Sequence, residues 1–433
     1  MKKPLPAPTG IVVGEISVNG ACSAHVDGRD FVVFGGLPGE SVDIQPRRKS
    51  RGRVHGIATA IQNPSPDRVA PRCGVADLCG GCSLMHMRRE RQLAMKEQWL
   101  RTEFGEVQPN AWLPWLTGPT HGYRAKARLG VRFVEKRGEV LVGFREKLSG
   151  FVTDTRRCAV LAAPADELLG PLRELLNALQ DPRSVPQVEI TALEGHLVLV
   201  IRHLEPVADE DLALLRAFAG AHDADIWLQP GGPATVIPLP GTSPRQLAYS
   251  LPEFDVTIEV TPADFVQVNT SLNRAMVSCV VDLLEVDPTD VVADLFCGVG
   301  NFGLAVARSA AKVIGCDVAA DGIARANANA ALNGLSNASF EIRDLMADDL
   351  HETWKLSAGK VILDPPRSGA NALVPLLVRS EVERVVYVSC NPVTLASDTK
   401  ALVAGGFRLA RAGIMDMFPH TAHVESVVLL ERS

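Results

Sequence analysis

A thiol stands where an apolar run gives way to polar residues, in Arg384-Val-Val-Tyr-Val-Ser-Cys-Asn-Pro392. The run reads as a buried parallel strand. Ser389, Cys390, Asn391 and Pro392 read as the loop at its carboxyl end, where open α/β sheets place their chemistry. Cys390 is therefore a candidate nucleophile, with a buried core thiol as the competing reading. Glu425 opens a later apolar run, Glu425-Ser-Val-Val-Leu-Leu-Glu431, and is a candidate proton acceptor for the same sheet edge. Taken alone it reads as a surface residue at a strand start. A second set of thiols lies in Pro71-Arg-Cys73-Gly-Val-Ala-Asp-Leu-Cys79-Gly-Gly-Cys82, with Cys158 far downstream. Three thiols so close, with Gly80 and Gly81 beside the second, can converge on one ion or cluster, the fold supplying a fourth. A tetrahedral zinc site is the alternative, and incidental cysteines the plainest reading.

The elements that must position these groups belong to a chain of 433 residues, 46% hydrophobic and 22% charged, which suits two or three folded domains. Met1-Lys-Lys-Pro-Leu-Pro-Ala-Pro8 has the charge of a signal peptide, but prolines occupy the place of its apolar segment. No later run approaches the roughly eighteen apolar residues of a membrane span. The expectation is a cytoplasmic protein without membrane association. Nine cysteines, an odd number without an export signal, argue against a disulfide framework and for metal or catalytic use of a subset. Residues 1–158 carry 25 Lys and Arg against 15 Asp and Glu, the remainder 19 against 35. That is the footprint of a segment that holds a polyanion joined to one that does chemistry; a solvated charged surface is the alternative. Nothing points to an obligate protein partner.

Residues 10–62 alternate short apolar runs (Ile11–Val13, Phe31–Phe34, Ser41–Ile44, Val54–Ile57) with turn signals, the spacing of a small all-β barrel. Pro46–Arg53 carries five cations in eight residues between two of those strands, as a phosphate-contacting edge would. This part resembles the TRAM domain, a small RNA-binding barrel attached to RNA-modifying enzymes. Leu84–Phe104 reads as a charged amphipathic helix. Tyr123–Val152 reads as two or three strands with Arg124, Lys126, Arg128 and Arg132 on one face, a further nucleic-acid track. From about Pro262 strands and helices alternate. Strands are expected at Val291–Phe296, Val313–Asp317, Ala338–Ile342, Val361–Asp364, Val385–Ser389, Arg408–Met415 and Ser426–Leu430, the last two pairing antiparallel because no helix separates them. The expected division is residues 1–62, 63–261 and 262–433.

The first of these strands runs into Asp294-Leu-Phe-Cys-Gly298-Val-Gly300-Asn-Phe-Gly303, a glycine turn that opens a helix, and Asp317 ends the next strand where a ribose hydroxyl would be bonded. Dinucleotide binding competes, but an antiparallel strand at the end and the acidic Asp294 suit a sulfonium better than a pyrophosphate. The region resembles the Rossmann-like fold of S-adenosylmethionine-dependent methyltransferases. Leu363-Asp364-Pro-Pro-Arg367 is similar to the signature of enzymes that methylate exocyclic amines, with Arg367 in place of the aromatic residue that stacks on the base.

Carbon 5 of uracil is a poor nucleophile, and methyl transfer to it is helped by adding a thiolate at carbon 6. A free cysteine with a pKa near 8.5 is only a few per cent thiolate at neutral pH, a deficit of roughly 2 kcal/mol that a neighbouring cation or donor removes. Afterwards the carbon 5 proton must leave, which calls for a base. Asp264-Phe-Val-Gln-Val-Asn269, the glycine turn, Asp364-Pro-Pro-Arg367, Ser389-Cys-Asn-Pro392 and His423-Val-Glu425 stand in the order found in the RNA (uracil-5)-methyltransferases. With the N-terminal barrel and four cysteines, the chain most resembles the subgroup acting on uridine 1939 of 23S ribosomal RNA. The resemblance implies a [4Fe-4S] cluster on Cys73, Cys79, Cys82 and Cys158. It also implies S-adenosylmethionine contacts at Gln267, Phe296, Asn301, Asp317, Asp344 and Asp364, Cys390 as nucleophile and Glu425 as base. The family's commoner residues are Glu where Asp317 stands and often Asn where Asp344 stands, changes that keep the acceptors. Rival readings are another RNA uridine or an exocyclic amine as acceptor, cytosine carbon 5, and a non-enzymatic iron-sulfur RNA-binding protein. Cytosine enzymes carry a cysteine where this chain has Pro366 and Arg367.

Overall fold

A computed structural model describes residues 7–432. Most of Met1–Pro8, and with it the start of the expected N-terminal domain, lies outside the described residues. By its contacts the chain divides into two units: Met1–Ala94 with Thr120–Pro244 and Phe418–His423, and Met95–Pro119 with Arg245–Met417 and Val424–Ser433. The division differs from the one expected at residues 261 and 262. Hydrogen bonding gives the reason, since the hairpin of Leu247–Leu251 and Val256–Val260 is held by the helix Ala320–Leu332. Asn329 and Asn333, one helical turn apart, each bond both backbone groups of a strand residue, Glu259 and Thr257 respectively. Their side-chain amides thus take the place of a neighbouring strand.

In the first unit a five-stranded sheet runs in the order Ile11–Val12, Ser41–Ser50, Arg53–Gln62, Arg29–Phe34, Ala21–Val26. The strand Ala21–Val26 has no counterpart in the sequence reading. The basic stretch is not a connection between strands: Arg47, Arg48 and Lys49 belong to Ser41–Ser50 and the turn is only Arg51-Gly52, so the cations ride on a long two-stranded arm. A six-stranded sheet follows, with Lys126–Val134 between Glu139–Gly143 and Gln187–Leu193. Its cationic row is partly neutralised, because Glu189 on Gln187–Leu193 pairs with Lys126 at 3.1 Å and Arg128 at 3.3 Å. The charged helix begins at Arg89 rather than Leu84. Before it, the Leu84 amide donates to the His420 carbonyl and the Arg88 amide to the Asp67 carbonyl, each at 2.8 Å, bonds that commit this stretch elsewhere.

The second unit is built on an eight-stranded sheet. Its seven main strands are Val291–Leu295, Lys312–Asp317, Ala338–Ile342, Lys360–Leu363, Arg384–Ser389, Phe407–Met415 and Glu425–Arg432. Numbered so along the chain, they lie in the order third, second, first, fourth, fifth, seventh, sixth, with Ala111–Trp112 at the far edge. The first five are mutually parallel, and the seventh is antiparallel to both its neighbours. The central strands are buried on both faces, so they read as unbroken apolar runs such as Val361-Ile-Leu363 and Val385-Val-Tyr-Val388. Parallel direction brings the carboxyl ends of five strands, with their loops, to one edge. Among the described residues no helix is long and apolar enough to cross a membrane.

Candidate active site

The fifth strand ends at Ser389, and the helix Pro392–Ala404 starts three residues on. Asn391 caps that helix, its Oδ1 accepting from the Val393 amide at 3.2 Å, and Pro392 occupies the first helical position, where no amide is needed. Cys390 is thus fixed between a central strand and a capped helix. The seventh strand pairs antiparallel with the fifth, Ser389 opposite Ser426. Cys390 lies one residue beyond that pairing and Glu425 is the first residue of the seventh strand, and the two are close enough for the Glu425 charge to act on the thiol. On its other side Glu425 is opposite Met415 of the sixth strand. Asp364 follows the fourth strand, whose Leu363 lies beside Tyr387 of the fifth.

Electrostatics tie these groups together. Cys390 is half-buried, and burial followed by the Glu425 charge raises its thiol above the ordinary range. Arg367 opposes that rise by its charge and by a hydrogen bond to the thiol. Glu425 is only 5% exposed, and burial, with Asp364 adding, pushes its carboxyl up to about 8 against Arg367 and Lys96. Burial alone lifts Asp364 to about 7. Asp294, fully buried, also stands at about 7; burial dominates, and the Gly303 amide, donating to Oδ2 at 2.7 Å, works against it. Its Oδ1 is buried without a hydrogen-bond partner. Lys96 meets Asp416 at 2.7 Å with both side chains at most 1% exposed.

Neither Arg367 nor Lys96 carries such a role in the sequence reading. Arg367 was weighed there only as a missing aromatic ring, and Lys96 as one cation of a charged helix. The spacing of Lys96, Leu100 and Phe104, all fully buried, is the signal that places Lys96 on an apolar face.

Of the expected cofactor residues, Phe296, Asp317, Asp344 and Asp364 lie at or just past the ends of the first four strands, Asn301 in the turn after the first, and Gln267 in a separate loop. Phe296 follows the first strand in the left-handed region, φ +67°, a conformation costing a non-glycine residue about 1–2 kcal/mol. Both oxygens of Asp317 accept backbone amides, Gly298 at 3.0 Å and Ala319 at 2.9 Å, and each keeps a lone pair for a hydroxyl. Asp344 is exposed and accepts from the Met346 amide at 2.9 Å. Asn301 is committed internally: its Oδ1 accepts from the Tyr249 hydroxyl at 3.0 Å and from Asn273, and its Nδ2 donates to Asn273 at 2.9 Å. Gln267 is half-buried in a loop anchored by Asp264, bonded to the Thr261 amide, and by Asn269, which caps the helix Thr270–Leu284. A row of acidic acceptors at the ends of successive parallel strands suits ribose hydroxyls and a sulfonium charge.

In the first unit Cys73, Cys79, Cys82 and Cys158 line one cavity with Met85, Tyr123 and Phe144. Gly80 lets the chain pass close to its neighbour, its amide donating to the Arg145 carbonyl at 2.8 Å, where a Cβ would lie 2.9 Å from that oxygen. Burial and the other three thiols push Cys82 up to about 12. Among the described residues no group of three or more His, Cys, Asp or Glu is arranged to hold a metal ion.

Fold and edge together define the class, an α/β methyltransferase of the S-adenosylmethionine-dependent kind. A family model described as tRNA (Uracil-5-)-methyltransferase matches residues 252–433. The chain is 41% identical to the 23S rRNA (uracil(1939)-C(5))-methyltransferase RlmD of Alcanivorax borkumensis, over 100% of this chain and 98% of that one. It is 45% identical to the protein of the same name from Thiobacillus denitrificans, over 94% and 96%. The crystal structure of Pyrococcus abyssi tRNA (uracil-54, C5)-methyltransferase in complex with S-adenosyl-L-homocysteine shares the fold at a TM-score of 0.76 and 24% identity, covering 98% of this chain and 99% of that one. The chain belongs to the RNA uracil-5-methyltransferase family.

Burial of Glu425 has a thermodynamic signature. Its pKa in the folded chain, about 8, lies above the ordinary 4.5, so the stability it contributes is full below pH 4.5 and lost as pH rises through about 8. Asp364, Arg367 and Lys96 are the charges that act on it. Glu425→Gln, which cannot ionise, is expected to match the parent within about 1 kcal/mol at pH 5 and exceed it by about 1–4 kcal/mol at pH 8.5 in urea unfolding. An equal difference at both pH values would contradict the buried, neutral carboxyl.

Proposed function

We propose that the chain methylates carbon 5 of a uridine in 23S ribosomal RNA, uridine 1939 in keeping with its relatives' names, using S-adenosylmethionine as methyl donor. The observation that carries the reaction is the meeting of Cys390, just past the fifth strand, with Glu425 at the start of its antiparallel neighbour, both under the charge of Arg367. The choice of RNA rests on whole-length identity of 41–45% to relatives named for that site. The ribosomal target makes the cytoplasm the site of action.

S-adenosylmethionine supplies an electrophilic methyl group on a sulfonium. Gln267, Phe296, Asn301, Asp317, Asp344 and Asp364 would hold it, Asp317 accepting from the ribose and Asn301 using its one uncommitted amide hydrogen. The target base must leave its stack to reach the sheet edge, at a cost of a few kcal/mol that is least in a loop. Arg367 favours the Cys390 thiolate, which adds to carbon 6 of the uracil and drives an electron pair onto carbon 5 and its neighbouring carbonyl. Carbon 5 would then take the methyl group as its bond to sulfur breaks, the electron pair of that bond remaining on the sulfur of a neutral thioether. Glu425 takes the proton from carbon 5, the double bond to carbon 6 re-forms, and the Cys390 thiolate leaves. A base with a pKa close to the working pH suits that last step, and burial supplies one.

Residues up to about 62, a TRAM-like barrel in this reading, would hold RNA by phosphates along the arm of Arg47, Arg48, Lys49, Arg51 and Arg53. Cys73, Cys79, Cys82 and Cys158 would ligate a [4Fe-4S] cluster; the four thiols match it in kind and number, and Met85, Tyr123 and Phe144 line the same cavity. Methyl transfer from a sulfonium moves no electron, so the cluster's place is structural.

RNA carrying 5-fluorouridine at the target has no proton for Glu425 to remove. It is expected to leave a covalent protein–RNA adduct on the parent protein and none on Cys390→Ala; no adduct on the parent under methylating conditions would contradict the reaction. For the cluster, protein prepared without oxygen is expected to hold about four iron and four acid-labile sulfide per chain, both lost in Cys79→Ser. A single zinc without sulfide would refute it.

A further inference from the structure

Arg367 is the cation on the Cys390 thiol, yet it sits in the irregular loop that follows the fourth strand, and its own residue is exposed. A long side chain on an irregular loop holds a fixed place only if its backbone is anchored. Among its anchors are side chains at the start of the helix that follows Cys390. Asn391 donates from Nδ2 to the Arg367 carbonyl at 2.8 Å, and Thr394 donates to the same oxygen at 3.4 Å. Three residues on, Asp398 accepts from the Ala370 amide at 2.7 Å and from the Tyr387 hydroxyl at 2.8 Å, all within the buried interior. Between the two anchors Gly369 has φ +82°, and a Cβ there would lie 2.7 Å from Asp398 Oδ2 and 2.9 Å from Thr394 Cβ. The loop therefore lies on the start of that helix, and Asn391, next to the thiol in the chain, makes the shorter of the two bonds to the residue that carries the guanidinium.

Asn391 uses its two amide atoms for different purposes. Its Oδ1 caps the helix, a task Ser or Thr performs as well, whereas its Nδ2 bond to Arg367 has no role in capping. We propose that Asn391 is a positioning residue for the methyl transfer: its Nδ2 bond to the Arg367 carbonyl holds the guanidinium on the Cys390 thiol. The inference rests on the reading of Cys390 as nucleophile. The charged groups acting on that thiol are Arg367 and Asp364 from the loop after the fourth strand and Glu425 from the seventh strand.

The test is Asn391→Ser in the full chain, which keeps a cap, adds no charge and is too short to reach the Arg367 carbonyl; Asn391→Thr is a second change of the same kind. The readout is the pH dependence of iodoacetamide alkylation, followed by mass spectrometry at the Cys390 peptide without RNA. Either variant is expected to shift the midpoint upward and slow alkylation at pH 7.5 by about three- to tenfold, a change of about half to one pKa unit. Arg367→Gln is expected to slow it at least as much, and adding Asn391→Ser to Arg367→Gln to change nothing further. An unchanged midpoint in both variants, or an equal loss with and without Arg367, would overturn the proposal. Methylation by Cys390→Ala would instead defeat the nucleophile reading and leave the alkylation result standing.

Discussion

Burial of Asp294 and Glu425, with the half-buried Asp364 and Cys390 at the same sheet edge, is the constraint on which the site depends. Four acids taken out of water close to one another cannot all ionise, because each charge loses its hydration and repels the next. The carboxyls therefore stand near 7 or 8 rather than near 4. Arg367 and Lys96 are the cations set against them, and Lys96 is itself buried against Asp416. Such a pair persists only because each partner is present; removing one leaves an uncompensated charge at a cost of about 3–5 kcal/mol. The edge is thus a balance of a few charges, with Arg367 lowering both the Cys390 thiol and the Glu425 carboxyl.

Topology creates that balance. A doubly wound sheet delivers the carboxyl ends of parallel strands to one edge, which accounts for Asp294, Asp317, Asp364 and Cys390. The seventh strand runs the other way, so what it brings to that edge is its beginning, Glu425. A thiol one residue past the end of one strand and a carboxylate that opens its antiparallel neighbour are brought together by the pairing of those strands. Arg367 is the exception, a loop residue, and its carbonyl is correspondingly pinned by Asn391 and Thr394, and the Ala370 amide further along the loop by Asp398.

The second half of the sheet was legible in the sequence because its central strands are buried on both faces and read as unbroken apolar runs. All seven main strands lie within two residues of their expected bounds. What was not legible depends on contacts between distant segments. The hairpin of residues 247–260 joins the second unit through Asn329 and Asn333, side chains whose strand-like bonding leaves no periodic trace. The arm of Arg47 to Lys49 carries charges on a strand, where composition suggests a loop. Insertion of the last strand between the fifth and sixth is a fact of pairing, so the approach of Glu425 to the end of the fifth strand follows from the structure and not from either motif. The motifs themselves supplied the residue types; the sheet supplied their meeting.

The central claim is that Cys390 and Glu425 act on opposite steps of one reaction, and it is tested most directly by stopping the second step alone. Glu425→Gln, incubated with the target RNA and S-adenosylmethionine, then digested and weighed at the Cys390 peptide, isolates it. The account predicts a peptide carrying a methylated nucleotide on Cys390, because the thiol cannot leave until the carbon 5 proton is removed. Methylated RNA released at the parental rate with an unmodified Cys390 peptide would contradict it.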